Sequence, residues 1–236
     1  MKRIEKALSN DVFLKNETSI YKRYLDDKFK RTFNNQEKEV LTNIRRYYKE
    51  VEGGIEMNAM PHESFEDDNI SGKDLKEVAL ALKYFWRTPT DNISQPGFFN
   101  VIQEMFELDD YESSVAAKAK QIMLSGEQVV LHNDVVEGNL LKVGGGIILI
   151  DFEYSGLGNK IFDVGSFLTE RELTEEQREE FIGHFEDIDL DDLEIVEEFL
   201  QIFWSKWANY KYESTNREIY ETIRDWKVSK IKRNLI

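Results

Sequence analysis

Two short polar clusters concentrate the reactive side chains of this chain: His132-Asn-Asp-Val-Val-Glu-Gly-Asn139 and Asp151-Phe-Glu-Tyr-Ser155. Each follows directly on an apolar run, Gln128-Val-Val-Leu131 and Ile147-Ile-Leu-Ile150. Runs that are short, β-branched and bounded by turn residues read as buried strands. Polar groups at strand ends can be held rigidly while facing a cleft. Phosphoryl transfer from ATP needs magnesium on the phosphates, oxygen ligands for that ion, and a carboxylate beside the attacking hydroxyl. Asp134, Asn139 and Asp151 carry those groups.

Their spacing narrows the chemistry. In kinases an aspartate accepts the substrate proton, an asparagine five residues later reaches a metal, and a second aspartate beyond the next strand binds magnesium. Here the interval from Asp134 to Asn139 is five, and Asp151 follows across Gly144-Gly-Gly146, a strand-joining turn rather than a phosphate cradle. Any one of the three alone is as readily a turn former or a helix cap. The ordered set is far more specific.

The elements around these clusters suggest a two-lobed α+β chain, residues 1–68 covering the nucleotide and 69–236 holding the catalytic loop, magnesium site and substrate pocket. Val12-Phe-Leu and Ser19 to Tyr24 read as a hairpin turned by Lys15-Asn-Glu-Thr18, and Val40, Leu41 and Ile44 as one face of a helix capped by an asparagine of Asn34-Asn. Gly53-Gly54 reads as a break, and the acidic stretch from Glu63 to Asp68 as a connector. Leu75, Val78, Ala79, Leu82 and Phe85 recur at helical spacing, and a helix there should stop near Pro89. Phe98 to Leu124 reads as helix in pieces, and almost everything from Thr174 onward as amphipathic helix.

A kinase also needs a lysine on the phosphates, held by a glutamate on the following helix. Lys22 with Glu37 is the candidate pair. Arg23 is its rival, because strand alternation lets only one of the two neighbours face the cleft.

Composition sets outer bounds. The 236 residues carry a formal net charge of -15 and no cysteine, which excludes disulfides and thiolate metal sites. Such a surface repels nucleic-acid phosphates and suits a cationic ligand better. No run approaches the roughly 18 apolar residues of a membrane span, and the charged opening residues do not resemble a signal peptide, so a cytoplasmic enzyme is expected. His62, His132 and His184 are far apart and form no His-Glu-x-x-His zinc motif.

Val130-Leu-His-Asn-Asp-Val-Val-Glu-Gly-Asn-Leu-Leu141, Leu149-Ile-Asp-Phe-Glu-Tyr-Ser155 and Phe162-Asp-Val-Gly165 together resemble the signature of choline and ethanolamine kinases, within the wider aminoglycoside-phosphotransferase-like group. The resemblance implies a protein-kinase-like fold using ATP and Mg2+. It implies Asp134 as catalytic base, Asn139 and Asp151 as magnesium ligands, His132 as scaffold of the catalytic loop, and Asp163 as a brace for that loop, with helix capping as the competing role for Asp163. It further implies a small cationic alcohol as substrate, held by aromatic faces and carboxylates through cation-π attraction. Trp204 and Trp207, with Tyr154, Glu170 and Tyr220, are the candidates, Tyr210 lying nearby. Val196, Phe199, Leu200, Phe203, Trp204 and Trp207 also share one helical face, so a plain core stripe accounts for them equally.

Two departures stand out. The glycine-containing turn before the first hairpin is replaced by Ala7-Leu-Ser-Asn10, which predicts a short phosphate cover, weak ATP binding or a lobe lacking its first strand. The tyrosine-rich stretch expected after Glu170 is Arg171-Glu-Leu-Thr-Glu-Glu176. Thiamine, an amino sugar or an aminoglycoside therefore stay open as substrates beside choline and ethanolamine, as does a silent binding protein on the same fold.

Overall fold

Short strands joined by tight turns build the first lobe as a five-stranded antiparallel sheet. The computed structural model describes residues 2–3, 10–33, 36–66 and 70–235. Its opening strands are β1 (Lys2–Arg3), β2 (Asp11–Asn16) and β3 (Ser19–Arg23), followed by helices α1 (Lys28–Thr32) and α2 (Glu37–Asn43). Strands β4 (Tyr48–Val51) and β5 (Gly54–Asn58) complete the sheet in the order β1-β2-β3-β5-β4. The β2–β3 hairpin is closed by Asn16, whose Oδ1 accepts the Thr18 N–H at 2.9 Å. The expectation of a missing first strand is corrected, since Lys2 and Arg3 pair with Leu14 and Phe13. Residues 7–9 of the expected phosphate-cover turn lie outside the described residues.

Gly53-Gly54 is not a break: Glu52 and Gly53 make the turn of the β4–β5 hairpin and Gly54 opens β5. The two strands escape a composition reading because Lys49, Glu50 and Glu56 place charge inside them. Gly54 has a specific reason to be glycine: a Cβ there would stand 2.0 Å from the Lys22 carbonyl oxygen. Only a bare backbone lets β5 lie against the strand that carries Lys22.

Helix α2 buries Val40 and Leu41 as its periodicity predicts. Its expected asparagine cap falls at residues 34–35, outside the described residues. The cap position is Gln36, whose side chain makes no capping bond; its Nε2 donates to the Ser94 carbonyl at 2.9 Å instead.

The acidic connector enters the second lobe early, as β6 (Glu63–Ser64). Helices α3 (Gly72–Phe85), α4 (Phe98–Met105) and α5 (Asp110–Leu124) follow, then β7 (Val129–Leu131), β8 (Leu140–Val143), β9 (Gly146–Leu149) and β10 (Gly156–Gly158). Helices α6 (Ile161–Thr169), α7 (Glu175–Gly183), α8 (Leu190–Thr215) and α9 (Glu218–Lys230) complete the chain. β6 and β9 flank β8, and β7 pairs with β10. α3 starts at a reciprocal Ser71–Asp74 capping box and buries all five residues of its predicted stripe. β9 is only half-buried up to Leu149, so the expected buried runs are corrected at Ile147, Ile148 and Ile150, and at Val129 of β7.

Aromatic packing welds the lobes. Phe29 and Phe33 of the first lobe meet Tyr154, Phe98 and Phe203 of the second, with Phe98 and Phe203 edge to face at 4.7 Å. The Lys211 ammonium adds an ion pair with Asp27 at 2.6 Å. Among the described residues no helix is long and apolar enough to cross a membrane.

Candidate active site

A cavity of about 780 Å³ lies between the lobes, with Val12, Ile20 and Met57 at one end, Tyr154, Trp204 and Trp207 at the other, and Asp134, Asn139 and Asp151 between them. The loop bearing Asp134 is held from beneath. Asp163, fully buried in the first turn of α6, accepts the backbone N–H groups of His132 at 3.0 Å and Asn133 at 2.7 Å, and the Trp86 indole N–H at 2.8 Å. The cap position of α6 is Lys160, so Asp163 braces the loop and does not cap the helix. Burial raises the Asp163 carboxyl to about 6, against the pull of its three donors.

His132 joins the two polar clusters. Burial lowers its pKa to about 4, so the ring is neutral. Its Nδ1 accepts the Asp134 N–H at 3.3 Å, which assigns the proton to Nε2, 2.8 Å from the Ile150 carbonyl it donates to. Asn133 and Asp151 both hold φ of 64°, a left-handed conformation that side chains other than glycine seldom adopt. Both strained residues sit in the two clusters.

Asn139, in a turn just before β8, donates through Nδ2 to the Asp134 carbonyl at 2.9 Å and to Asp134 Oδ2 at 2.8 Å. Burial first, then the charges of Asp151, Glu170 and Glu153, push the Asp134 carboxyl well above the usual aspartate range; Asn139 pulls the other way. A raised pKa makes this carboxylate a better proton acceptor, and the surrounding negative charge favours cations.

Strand register decides between Lys22 and Arg23. Lys22 points inward, its ammonium 2.9 Å from both Glu37 oxygens and 2.6 Å from Asp151 Oδ1, whereas Arg23 turns outward onto Asp11. Burial alone would lower the Lys22 pKa, and Asp151 and Glu37 outweigh it, holding it well above the ordinary value. Glu37 is raised by its own burial, with Lys22 opposing. A further buried group, missed in the sequence, lies beside them: Glu153 accepts from Lys30 and from Asn10 Nδ2, and Lys30 and Lys22 outweigh burial to hold its carboxyl at about 2. Its place in the Asp-Phe-Glu run is the signal that could have found it.

No group of three or more His, Asp or Glu side chains suited to a metal occurs among the described residues. Magnesium keeps waters and nucleotide phosphates as ligands and takes only one or two protein oxygens. Asn139 commits only its amide nitrogen to Asp134, leaving Oδ1, and Lys22 takes Oδ1 of Asp151, leaving Oδ2. These hard oxygens fit such an ion.

At the aromatic end Tyr154 stands 5.3 Å from Trp204, which meets Trp207 edge to face at 5.6 Å. Trp204 and Trp207 are core residues that also line the cavity, so the stripe and the wall are one surface. Tyr220 packs behind Trp207 at 5.6 Å, buried and off the cavity lining, and is not brought to the site with Tyr154 and the two tryptophans. Tyr210 packs on Phe29. Glu170 lines the cavity, held by Lys227 at 2.6 Å. Ile223, Trp226 and Lys227 of α9, and Arg46, also line it; none belongs to a motif that sequence reasoning could follow.

The antiparallel first-lobe sheet with a lysine–glutamate pair, set over a helical lobe whose strand ends carry Asp134, Asn139 and Asp151, defines a kinase-like phosphotransferase architecture. The sequence model of the choline/ethanolamine kinase family matches residues 6–236, and the chain belongs to that family. Among solved structures it is similar to choline kinase LicA from Streptococcus pneumoniae, at 20% identity and a TM-score of 0.68, covering 94% of this chain and 90% of that one. A LicA structure in complex with AMP shares the fold at a TM-score of 0.73, 19% identity, and 97% and 90% coverage. Plasmodium vivax ethanolamine kinase matches at 16% identity and a TM-score of 0.71, covering 97% of this chain and 80% of its own. Comparison with curated protein sequences returns no match.

Proposed function

We propose that this chain is an active kinase, residues 1–68 covering ATP and 69–236 carrying out transfer of its terminal phosphate to the hydroxyl of a small cationic alcohol of the choline or ethanolamine type. The observation that carries the reading is the chain Glu37–Lys22–Asp151, buried at its Glu37–Lys22 end, which lines one cavity together with Asp134, Asn139 and the aromatic wall. Lys22, held by Glu37, is placed to meet phosphate oxygens, and a nucleotide there would compete with Asp151 for its ammonium. Asp134 takes the proton of the substrate hydroxyl as its oxygen bonds to phosphorus and the bond to the departing ADP breaks. Asn139 fixes the Asp134 carboxylate in place and, with Asp151, would hold the magnesium that neutralises charge on the phosphates. Tyr154, Trp204, Trp207 and Glu170 receive the cationic head group.

The test is a phosphorylation assay with Mg-ATP over ethanolamine, choline, thiamine, an amino sugar and an aminoglycoside. Turnover of choline or ethanolamine supports the proposal, and robust turnover of another alcohol alone moves the substrate to that class. Calorimetry with Mg-ATP separates a silent relative, because a chain that binds no nucleotide cannot transfer phosphate.

A further inference from the structure

Lys227 is a buried cation with no part in the transfer step. It is 1% exposed, and its ammonium donates to Glu170 Oε1 at 2.6 Å and to the Thr169 carbonyl at the end of α6 at 3.0 Å, lying 4.7 Å from the Trp226 ring centroid. Lys227, Glu170 and Trp226 all line the aromatic end of the cavity. The carboxylate expected to attract a cationic head group therefore already holds one, and Trp226 already faces one.

That occupancy discriminates between kinds of ammonium. A quaternary ammonium has no N–H and senses only aromatic faces and the net charge around it. The Glu170–Lys227 pair presents it with a net charge near zero. An ammonium that keeps an N–H can also donate a charge-assisted hydrogen bond, and Oε2 of Glu170 is not the oxygen that Lys227 takes. Resting on the kinase reading above, we propose that Lys227 is a specificity-determining residue, and that the substrate is an amino alcohol whose nitrogen keeps at least one N–H, the ethanolamine class, in preference to the quaternary choline class.

The test measures kcat/KM of the wild-type chain at saturating Mg-ATP for ethanolamine, N-methylethanolamine, N,N-dimethylethanolamine and choline. The steepest fall is expected at the last methylation, by about tenfold or more, since a site built to accept a hydrogen bond rejects the analogue that cannot donate it. Lys227→Met should raise the choline-to-ethanolamine ratio by about tenfold, mainly through the KM for choline, as Glu170 is left to attract any cation. Glu170→Gln should lower kcat/KM for ethanolamine more than for choline. A helix-packing role for Lys227 alone would change stability and leave the ratios untouched. Choline used as well as dimethylethanolamine by the wild-type chain, or a ratio unmoved in a folded Lys227→Met variant, overturns the inference while the kinase reading stands. Turnover of none of the four removes the amino-alcohol substrate and this inference with it, and calorimetry with Mg-ATP then decides whether the kinase reading survives for another alcohol. If Lys227→Met does not fold, the wild-type series decides alone.

Discussion

The two ends of the cavity are built on different plans. Around Lys22, charges hold charges: Glu37 and Asp151 grip one ammonium and Lys30 grips Glu153, with Lys22 on β3, Asp151 and Glu153 following β9, and Glu37 and Lys30 on the short first-lobe helices. At the far end, aromatic rings from α8, a carboxylate at the end of α6 and a lysine from α9 meet across helices, with Tyr154 the contribution of a strand-end cluster. The first plan suits a ligand of fixed chemistry, the phosphates. The second can be retuned one residue at a time, and it is where relatives in a family with different alcohols would be expected to diverge.

The sharpest way to break the contrast is at the reacting carboxylate. Asp134→Ala should lower kcat by about 10²–10⁴-fold, the range for loss of a general base, while calorimetry shows Mg-ATP binding retained. Asp151→Ala should impair Mg-ATP binding as well as turnover. Near-wild-type activity in both would dismiss the assignment of roles.

Next in size is the lysine clamp. Lys22 and Glu37 are 3% and 2% exposed in their side chains, so removing Glu37 takes one of two carboxylates from a buried ammonium and leaves it on Asp151 alone, at a cost of about 1.5–3 kcal/mol, the range for a hydrogen bond to a charged group. Glu37→Ala should lower the thermal midpoint and raise the KM for Mg-ATP; a midpoint equal to wild type would mean that the clamp is not closed in solution. At the aromatic end the effects are smaller. Trp204→Ala should raise the KM for the amino alcohol more than it lowers kcat, by about two- to thirtyfold if the ring contributes a cation-π contact of about 0.5–2 kcal/mol. Tyr220→Phe, behind the wall, should leave that KM unchanged. A lowered midpoint with an unchanged KM in Trp204→Ala would make the stripe pure core.

The smallest effect links the two ends. Because Asp134 must be unprotonated to act and its pKa is raised, kcat/KM should climb with pH through a limb lying above the ordinary aspartate range. Glu170 is one of the charges that raise it. Glu170→Gln removes that charge, lowers the Asp134 pKa and should move the acid limb to lower pH; a limb that stays put would show the two ends to be electrostatically independent.

Legibility in the sequence followed the same division. Asp134, Asn139 and Asp151 lie within a short stretch, on loops whose flanking strands announce themselves by composition, so their order could be read directly. Helices with strong periodicity, such as α3, were equally plain. β4 and β5 were not, because charged residues in the strands of a thin sheet hide the alternation, and a glycine pair, Gly53 at positive φ in the turn and Gly54 pressed against the Lys22 backbone, looks like a break. Glu170 was singled out in the sequence, but its partner, 57 positions away on α9, has no local signal.

The residue order alone singled out the oxygens to which the proposed phosphoryl transfer is assigned, since that chemistry needs a few oxygen ligands at intervals set by one loop and one hairpin. Three matters were decided only by tertiary structure. Strand register chose Lys22 over Arg23, because neighbouring side chains face opposite sides and pairing selects the side. Helix packing placed Trp204 and Trp207 on the cavity and Tyr220 behind it, because one helical face can serve core and pocket together. The meeting of α6 with α9 put Lys227 on Glu170, a long-range ion pair that exists only once both helices are docked.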